Sequence, residues 1–354
     1  MTRAPTRHRL PRRLLSAICP TILGLLTLPA LALDEGRADV DSFIDEMATR
    51  HGFDVTSLTE LFAQVQSRPS IIEAMTRPAE KTMTWDRYRA LFITDRRVAR
   101  GVAVGRDQAD ALREAAASGV PEEFLLAITG VETFYGENTG KHRVVDALAT
   151  LAFDYEPRRT FFRGELEQYL LMAREESLDP LQPIGSYAGA MGIPQFMPSS
   201  FRAYAVDGDD DGHRNLWSDW SDVFASVANY LRLHGWRSGE PVMVPADVAG
   251  ARLEGLAPDR LALSETVQSL RDRGIKFTAS LPPDTPAVLV ELSGANGPEY
   301  RVGFANYFAI TRYNRSALYA SAVNDLAEAI AAARPAPAVA TPSADAAPPA
   351  FTSQ

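Results

Sequence analysis

The sequence predicts an α+β fold, mainly α, in which a small β-rich subdomain is inserted into a helical body. Three observations predict it. Apolar residues recur at helical spacing over most of Val40 to Gly235. Residues 241–303 break instead into short β-type runs separated by Pro and Gly clusters. Helical periodicity then returns at Ala317–Ala333. With 354 residues, 46% hydrophobic and 23% charged, the chain has enough apolar material for a packed core and is neither disordered nor collagenous.

The first 32 residues read as an export signal. Five arginines (Arg3, Arg7, Arg9, Arg12, Arg13) precede the apolar run Leu14–Leu28, and Ala30-Leu31-Ala32 offers a small-x-small cleavage site. That order matches the n, h and c regions of a secretory signal. Pro20 and Pro29 make the run a poor membrane span. Cys19, the only cysteine, lies inside it; a lipidated outer-membrane form is the less favoured expectation, because Ile18 precedes it where a small residue is expected. Arg12-Arg13 also permits a twin-arginine signal. The mature chain is thus expected to be periplasmic, monomeric and without disulfides.

The formal charge is −9. Removing the five leader arginines from 36 basic residues leaves 31 against 45 acidic, a net of −14. An acidic body argues against nucleic acid as a partner.

Pro121-Glu122-Glu123 makes a good first helical turn, since Pro lacks the N–H that would be orphaned there and the acids suit the positive helix end. Phe124, Ile128, Val131 and Tyr135 continue the helix, and Gly136 is placed to stop it. Phe162, Leu166, Tyr169, Leu170 and Ala173 mark another helix. Asp222 or Ser221 is placed to cap a third, Val223–His234. The strands are read at Val242–Val244, Ala287–Leu292 and Tyr300–Val302. Beyond Arg334 the chain is Ala/Pro-rich, so residues 335–354 read as a disordered tail. The boundaries are therefore 1–32, 33–240, 241–303, 304–334 and 335–354.

One carboxylate stands apart by position. Glu132, in Gly130-Val131-Glu132-Thr133-Phe134-Tyr135-Gly136, falls in the last turn of an apolar helix among aromatics. Burial and the negative helix end both disfavour its ionised form, as an acid that protonates a glycosidic oxygen requires. The bland alternative is a glutamate on a wet helix face.

Asp207-Gly208-Asp209-Asp210-Asp211-Gly212-His213 sets acids at positions one, three and five of a loop, with glycine at six. This is how an EF-hand loop starts to wrap a hard cation. His213 falls at position seven, where the backbone carbonyl serves. Position twelve is Ser218 rather than glutamate, so Asp219 or Asp222 would have to close the loop. A solvated acidic turn is the alternative.

The glycine-rich run Gly185–Pro198 suits either close approach of a ligand to the backbone or a tight helix contact. Thr311–Ser316 with Tyr319 puts aromatic faces beside an amide, as sugar recognition uses. The histidines show no zinc spacing and no Gly-x-Ser-x-Gly elbow occurs, so zinc-enzyme and serine-hydrolase readings are poor.

Together these segments resemble the lytic murein transglycosylase B family. The matching words are GVETFYG (130–136), DALATLAFDY (146–155), GELEQYLLMAR (164–174), GSYAGAMGIPQFMPSSFRAYAVD (185–207), DGHRNLW (211–217), SVANYLRLHGW (226–236) and ITRYNRSALYA (310–320). The resemblance spans roughly Val40 to Ala333. It implies a lysozyme-like helical core acting on peptidoglycan glycan strands. It implies cleavage of the β-1,4 bond between N-acetylmuramic acid and N-acetylglucosamine without water, leaving a 1,6-anhydro end. Glu132 would serve as acid and then as base, so that one carboxylate suffices where ordinary glycosidases need two.

By the same resemblance, Ser186, Gln195, Tyr230, Tyr313, Asn314 and Tyr319 look like cleft residues. Arg158 and Arg159 match the family's paired arginines, and Tyr88 is a looser candidate. A structural calcium or sodium ion is implied at Asp207, Asp209, Asp211, His213 and Asp222, with no catalytic cofactor. Partners in wall synthesis are plausible but unnamed. A muramidase that uses water and a catalytically silent glycan-binding module are the competing expectations.

Overall fold

The computed structural model describes residues 31–32, 36–76, 83–256 and 260–334. The leader up to residue 30 with Cys19, and the tail 335–354, lie outside the described residues. Six helices come first: α1 (Ala38–His51), α2 (Val55–Phe62), α3 (Pro69–Thr76), α4 (Trp85–Phe92), α5 (Asp95–Asp107) and α6 (Ala109–Ala116). Then follow α7 (Glu122–Thr133), α8 (Val144–Asp154), a 3-10 turn (Glu156–Arg158), α9 (Arg159–Glu175), α10 (Pro198–Tyr204) and α11 (Trp220–Leu233). The last three are α12 (Val267–Asp272), α13 (Ala305–Tyr313) and α14 (Ala317–Ala333). Two short antiparallel ladders pair β1 (Leu31–Ala32) with β2 (Gln66–Ser67), and β3 (His142–Arg143) with β4 (Ile184–Gly185). β1 falls on the expected cleavage site.

The core is organised around α8. Every residue from Val144 to Phe153 is buried, the signature of a helix surrounded on all sides rather than lying on a surface. Its one charged member in that run, Asp146, is compensated: Arg68 and Arg143 bind the carboxylate at 2.8–3.0 Å and Gln66 N donates to it at 3.0 Å. Phe43, Phe62 and Phe153 pack edge to face and join α1 and α2 to this centre.

The expected β-rich segment is a four-stranded antiparallel sheet of β5 (Met243–Pro245), β6 (Glu265–Thr266), β7 (Pro286–Gly294) and β8 (Gly297–Gly303), in the order β5-β8-β7-β6. Alternation along β7 explains its attachment. Val288, Val290 and Leu292 point into the main helical core, whereas Ala287 and Leu289 face a smaller core with Val267, Leu270, Ile275, Val302 and Phe304. Within this segment the structure adds a short helix, α12, closed by a reciprocal cap between Thr266 and Ser269.

Two expected helix ends move. α7 stops at Thr133 rather than running to Gly136, because Phe134, Tyr135 and Gly136 all take positive φ (54°, 58° and 87°). α11 begins at Trp220, and its cap is Asp219, whose carboxylate accepts from Ser221 N at 2.8 Å; neither Ser221 nor Asp222 caps it.

Candidate active site

Glu132 sits where α7 ends, and the turn that follows is held by packing rather than by glycine. Left-handed backbone at a non-glycine residue costs roughly 1–2 kcal/mol, so Phe134 and Tyr135 need outside support. The Arg96 and Arg97 guanidinium groups lie 4.7 and 5.0 Å from the Phe134 ring centre. The Tyr135 side chain fills a notch between Gly101 and Gly130: a Cβ on Gly101 would stand 2.3 Å from its hydroxyl, and one on Gly130 2.7 Å from its hydroxyl and from Cζ of its ring.

Thr133 ties this turn to the glycine-rich segment. Its buried Oγ1 donates to Ile193 O at 2.9 Å and accepts from Gly136 N at 3.0 Å. The next residues of that segment are also fixed. Tyr313 OH donates to Pro194 O at 2.6 Å, and Gln195 Nε2 donates to Gly192 O and Thr139 O at 2.8 and 3.2 Å. The glycines of this run serve internal packing. A Cβ on Gly185 would stand 2.2 Å from Ala190 O, and one on Gly192 2.4 Å from Leu216 O.

α14 supplies the group that meets the half-buried Glu132. Tyr319 OH donates to Glu132 Oε1 at 2.6 Å. Burial, and then the Glu132 charge, push the Tyr319 and Tyr313 hydroxyls well above the ordinary tyrosine range, so both stay protonated. Their rings stack nearly parallel at 6.4 Å. Tyr230 lies 4.8 Å from Tyr313 and stacks on His234 at 4.1 Å, while its hydroxyl donates to Arg312 O at 2.6 Å.

The structure therefore brings Glu132, Gln195, Tyr230, Tyr313 and Tyr319 into one aromatic assembly. Tyr88, on α4, is buried close to Tyr319. Asn314 follows Tyr313 directly; its half-buried side-chain amide makes no hydrogen bond among the described residues. Ser186 Oγ accepts from Ala188 N and Ala190 N at 3.3 and 3.0 Å, shaping the turn below Tyr187. Arg158 and Arg159 stand apart on the exposed start of α9. Arg158 lies 4.2 Å over Phe161, and Arg159 pairs with Glu156 at 3.0 Å. Thr133 and His234 had no recognisable signal in the sequence, since both depend on contacts across the fold.

The acidic loop gathers three carboxylates. Asp207, Asp209 and Asp211 each offer an oxygen within 4.8 Å of the others, with oxygen donors only, as a hard cation prefers. The backbone is already wrapped: Asp207 accepts from Asp211 N and Gly212 N, and Asp211 accepts from His213 N. Asp222 is not in this cluster. Its two oxygens accept from Gly208 N at 2.7 Å and Asn215 N at 2.5 Å, clamping both ends of the loop. His213 is exposed and contributes no imidazole bond among the described residues.

The transglycosylase SLT domain family matches residues 35–328, most of the chain. The chain belongs to that family. It is 42% identical over 306 residues to the membrane-bound lytic murein transglycosylase B of Escherichia coli K12, covering 84% of this chain and 83% of the relative. The crystal structure of the catenated lytic transglycosylase SltB1 of Pseudomonas aeruginosa superposes with a TM-score of 0.80 at 48% identity, over 85% of this chain and 99% of that one. The Escherichia coli lytic transglycosylase Slt35, in complex with calcium, gives 0.78 at 41% identity, over 86% and 96%. No helix among the described residues is long and apolar enough to cross a membrane.

Proposed function

We propose that this chain is a lytic transglycosylase of the bacterial wall, cutting peptidoglycan between N-acetylmuramic acid and N-acetylglucosamine with Glu132 as its single acid and base. The observation that carries the reading is the Tyr319–Glu132 hydrogen bond at the end of α7, inside an aromatic assembly. Glu132 first protonates the bridging oxygen. Tyr319, a donor that keeps its proton, then stabilises the carboxylate left behind. The substrate's N-acetyl group shields the positive C1. Glu132 next takes the proton of the muramyl C6 hydroxyl, which attacks C1 and closes the 1,6-anhydro ring. Tyr313 and Tyr230, with rings 4.8 Å apart at 60°, and the Asn314 amide beside Gln195 offer the aromatic faces and polar groups that sugars bind. Ser186 shapes the same wall, buried Tyr88 backs Tyr319, and exposed Arg158 and Arg159 would meet the strand away from Glu132.

Calcium at Asp207, Asp209 and Asp211 is assigned a structural role only, with the His213 carbonyl completing the set. Residues 33–240 and 304–334 form the catalytic body in this reading, 241–303 the inserted subdomain and 335–354 a tail. Export to the periplasm follows from residues 1–32.

Mass spectrometry of products from purified peptidoglycan tests the reading. Residues 33–334 should release anhydromuropeptides, lighter by one water than hydrolysis products, and Glu132→Gln should release none. Reducing ends would make the chain a muramidase. Binding without products would leave a glycan-binding module.

A further inference from the structure

α5 opens Asp95-Arg96-Arg97, and the last of these turns inward. Thr94 caps the helix by accepting from Arg97 N at 3.2 Å. Arg97 Nη1 donates to Leu91 O in the last turn of α4, where a cation meets the negative helix end. Its Nε is buried without a hydrogen bond, and Arg97 makes no ion pair among the described residues. Burial pulls the guanidinium below the ordinary arginine range. A cation buried without a carboxylate costs stability, so its presence here calls for another reason.

Aromatic rings stand where an acid would be expected. The Arg97 guanidinium lies 5.0 Å from the centre of the Phe92 ring and 5.0 Å from that of Phe134. Phe92 in turn packs on Tyr88 at 5.0 Å. Tyr88 is buried close to Tyr319, whose hydroxyl donates to Glu132 at 2.6 Å. Phe134 follows Glu132 by two residues. The row Tyr88, Phe92, Arg97, Phe134 therefore starts behind the donor to the carboxylate and ends in the turn that follows it.

That turn carries strain. Phe134, Tyr135 and Gly136 run in left-handed backbone, at φ 54°, 58° and 87°. Such conformations persist only where surroundings impose them, and they gather at active sites. The turn is also tied back to α7: Phe134 N donates to Gly130 O and Tyr135 N to Thr129 O, both at 3.1 Å, and Asn138 N to Thr133 O at 2.9 Å. Arg96 lies 4.7 Å from the Phe134 ring as well, but it is 77% exposed and pairs with Glu137. Arg97 is the buried half of this grip.

We infer that Arg97 is a positioning residue for the reaction, holding Phe134 and with it the left-handed turn that aims the Glu132 carboxylate. The inference rests on the proposed function and deepens it. Arg97 acts through Phe134, and its buried charge is kept because the geometry of the turn depends on it.

Arg97→Gln and Phe134→Leu, alone and combined, test this with two readouts. On purified peptidoglycan each single variant should lose about tenfold to a hundredfold in kcat, the scale of a small misplacement, with KM within about twofold. The double variant should lose no more than the worse single one, since both remove the same contact. Glu175→Gln, which lowers stability elsewhere, should leave kcat unchanged. By hydrogen exchange, the amides of Phe134, Tyr135 and Asn138 should exchange at least about tenfold faster in Arg97→Gln, and those of α8 at the wild-type rate. Wild-type kcat in Arg97→Gln, losses that multiply in the double variant, an equal kcat loss in Glu175→Gln, or faster exchange throughout α8 overturns the inference. Any of these beside an inactive Glu132→Gln leaves the proposed reaction standing. Anhydro products from Glu132→Gln overturn the proposed reaction, and the inference with it.

Discussion

Tyr319 and Glu132 lie 187 residues apart in the chain and meet at 2.6 Å, hydroxyl to carboxylate. The contact exists because α14 packs along α7, with Leu326 against Gly130, so the first turn of one helix faces the last turn of the other. It gives the carboxylate a fixed orientation and a donor that does not titrate in the working range.

Tyr319→Phe should therefore lower kcat about tenfold, roughly 1.4 kcal/mol, the scale of one hydrogen bond to a charged group. KM should change little. Burial and the Glu132 charge hold the Tyr319 hydroxyl well above its ordinary range, so Tyr319 itself should contribute no limb to the rate profile in the working range. An unchanged kcat on purified peptidoglycan would contradict its role as the donor to Glu132.

Positions were legible in the sequence where chemistry is local. The carboxylate at the end of an apolar helix, the aspartate register of the loop and the bounds of α14 all follow from spacing. The end of α7 was not, because Phe134 and Tyr135 adopt left-handed backbone only through Arg96, Arg97, Gly101 and Gly130, which are distant or chemically unremarkable in sequence. α12 was hidden for a related reason: six residues carry too little periodicity to stand out. The glycine-rich run left two readings open, and the contacts of Gly185 and Gly192 favour packing.

Thr133 offers a test of how the site is held. Thr133→Val keeps the shape but loses the bonds to Ile193 O and Gly136 N, which should cost about 1–3 kcal/mol in unfolding and reduce kcat more than KM. Thr133→Ser retains the hydroxyl and should restore most of both. Denaturant titration beside steady-state kinetics reads the two effects separately.

Acid stability has a sign fixed by carboxylates paired with arginine. Hydrogen bonds from Arg202 hold Glu175 below the ordinary glutamate range, and Arg50 with Arg163 does the same for Glu46. Groups lowered by folding stabilise above their unfolded value and lose that contribution as pH falls through the folded one. The melting temperature should thus drop on acidification below about pH 4.5, the unfolded glutamate value. Glu175→Gln should flatten that drop while lowering stability at pH 7. A steeper acid drop in the variant would contradict the assignment. Both pairs are partly exposed, so salt should shrink the effect.

The loop of three aspartates and its neighbour Asp222 make separable predictions. A cation that binds only the folded chain adds about 2.7 kcal/mol at one hundred times its dissociation constant. Calcium should therefore raise the melting temperature of the wild type, and Asp209→Ala should remove that rise. Asp222 acts differently. It is almost wholly buried, burial pushes its carboxyl upward, and its oxygens receive Gly208 N and Asn215 N on either side of the loop. Without it two backbone donors lose their acceptor, so Asp222→Ala should destabilise by about 1–3 kcal/mol whether or not calcium is present. If the Asp222 variant is silent without calcium and defective only with it, Asp222 is a ligand rather than a clamp. Thermal melts of both variants, with calcium and with chelator, decide between the two.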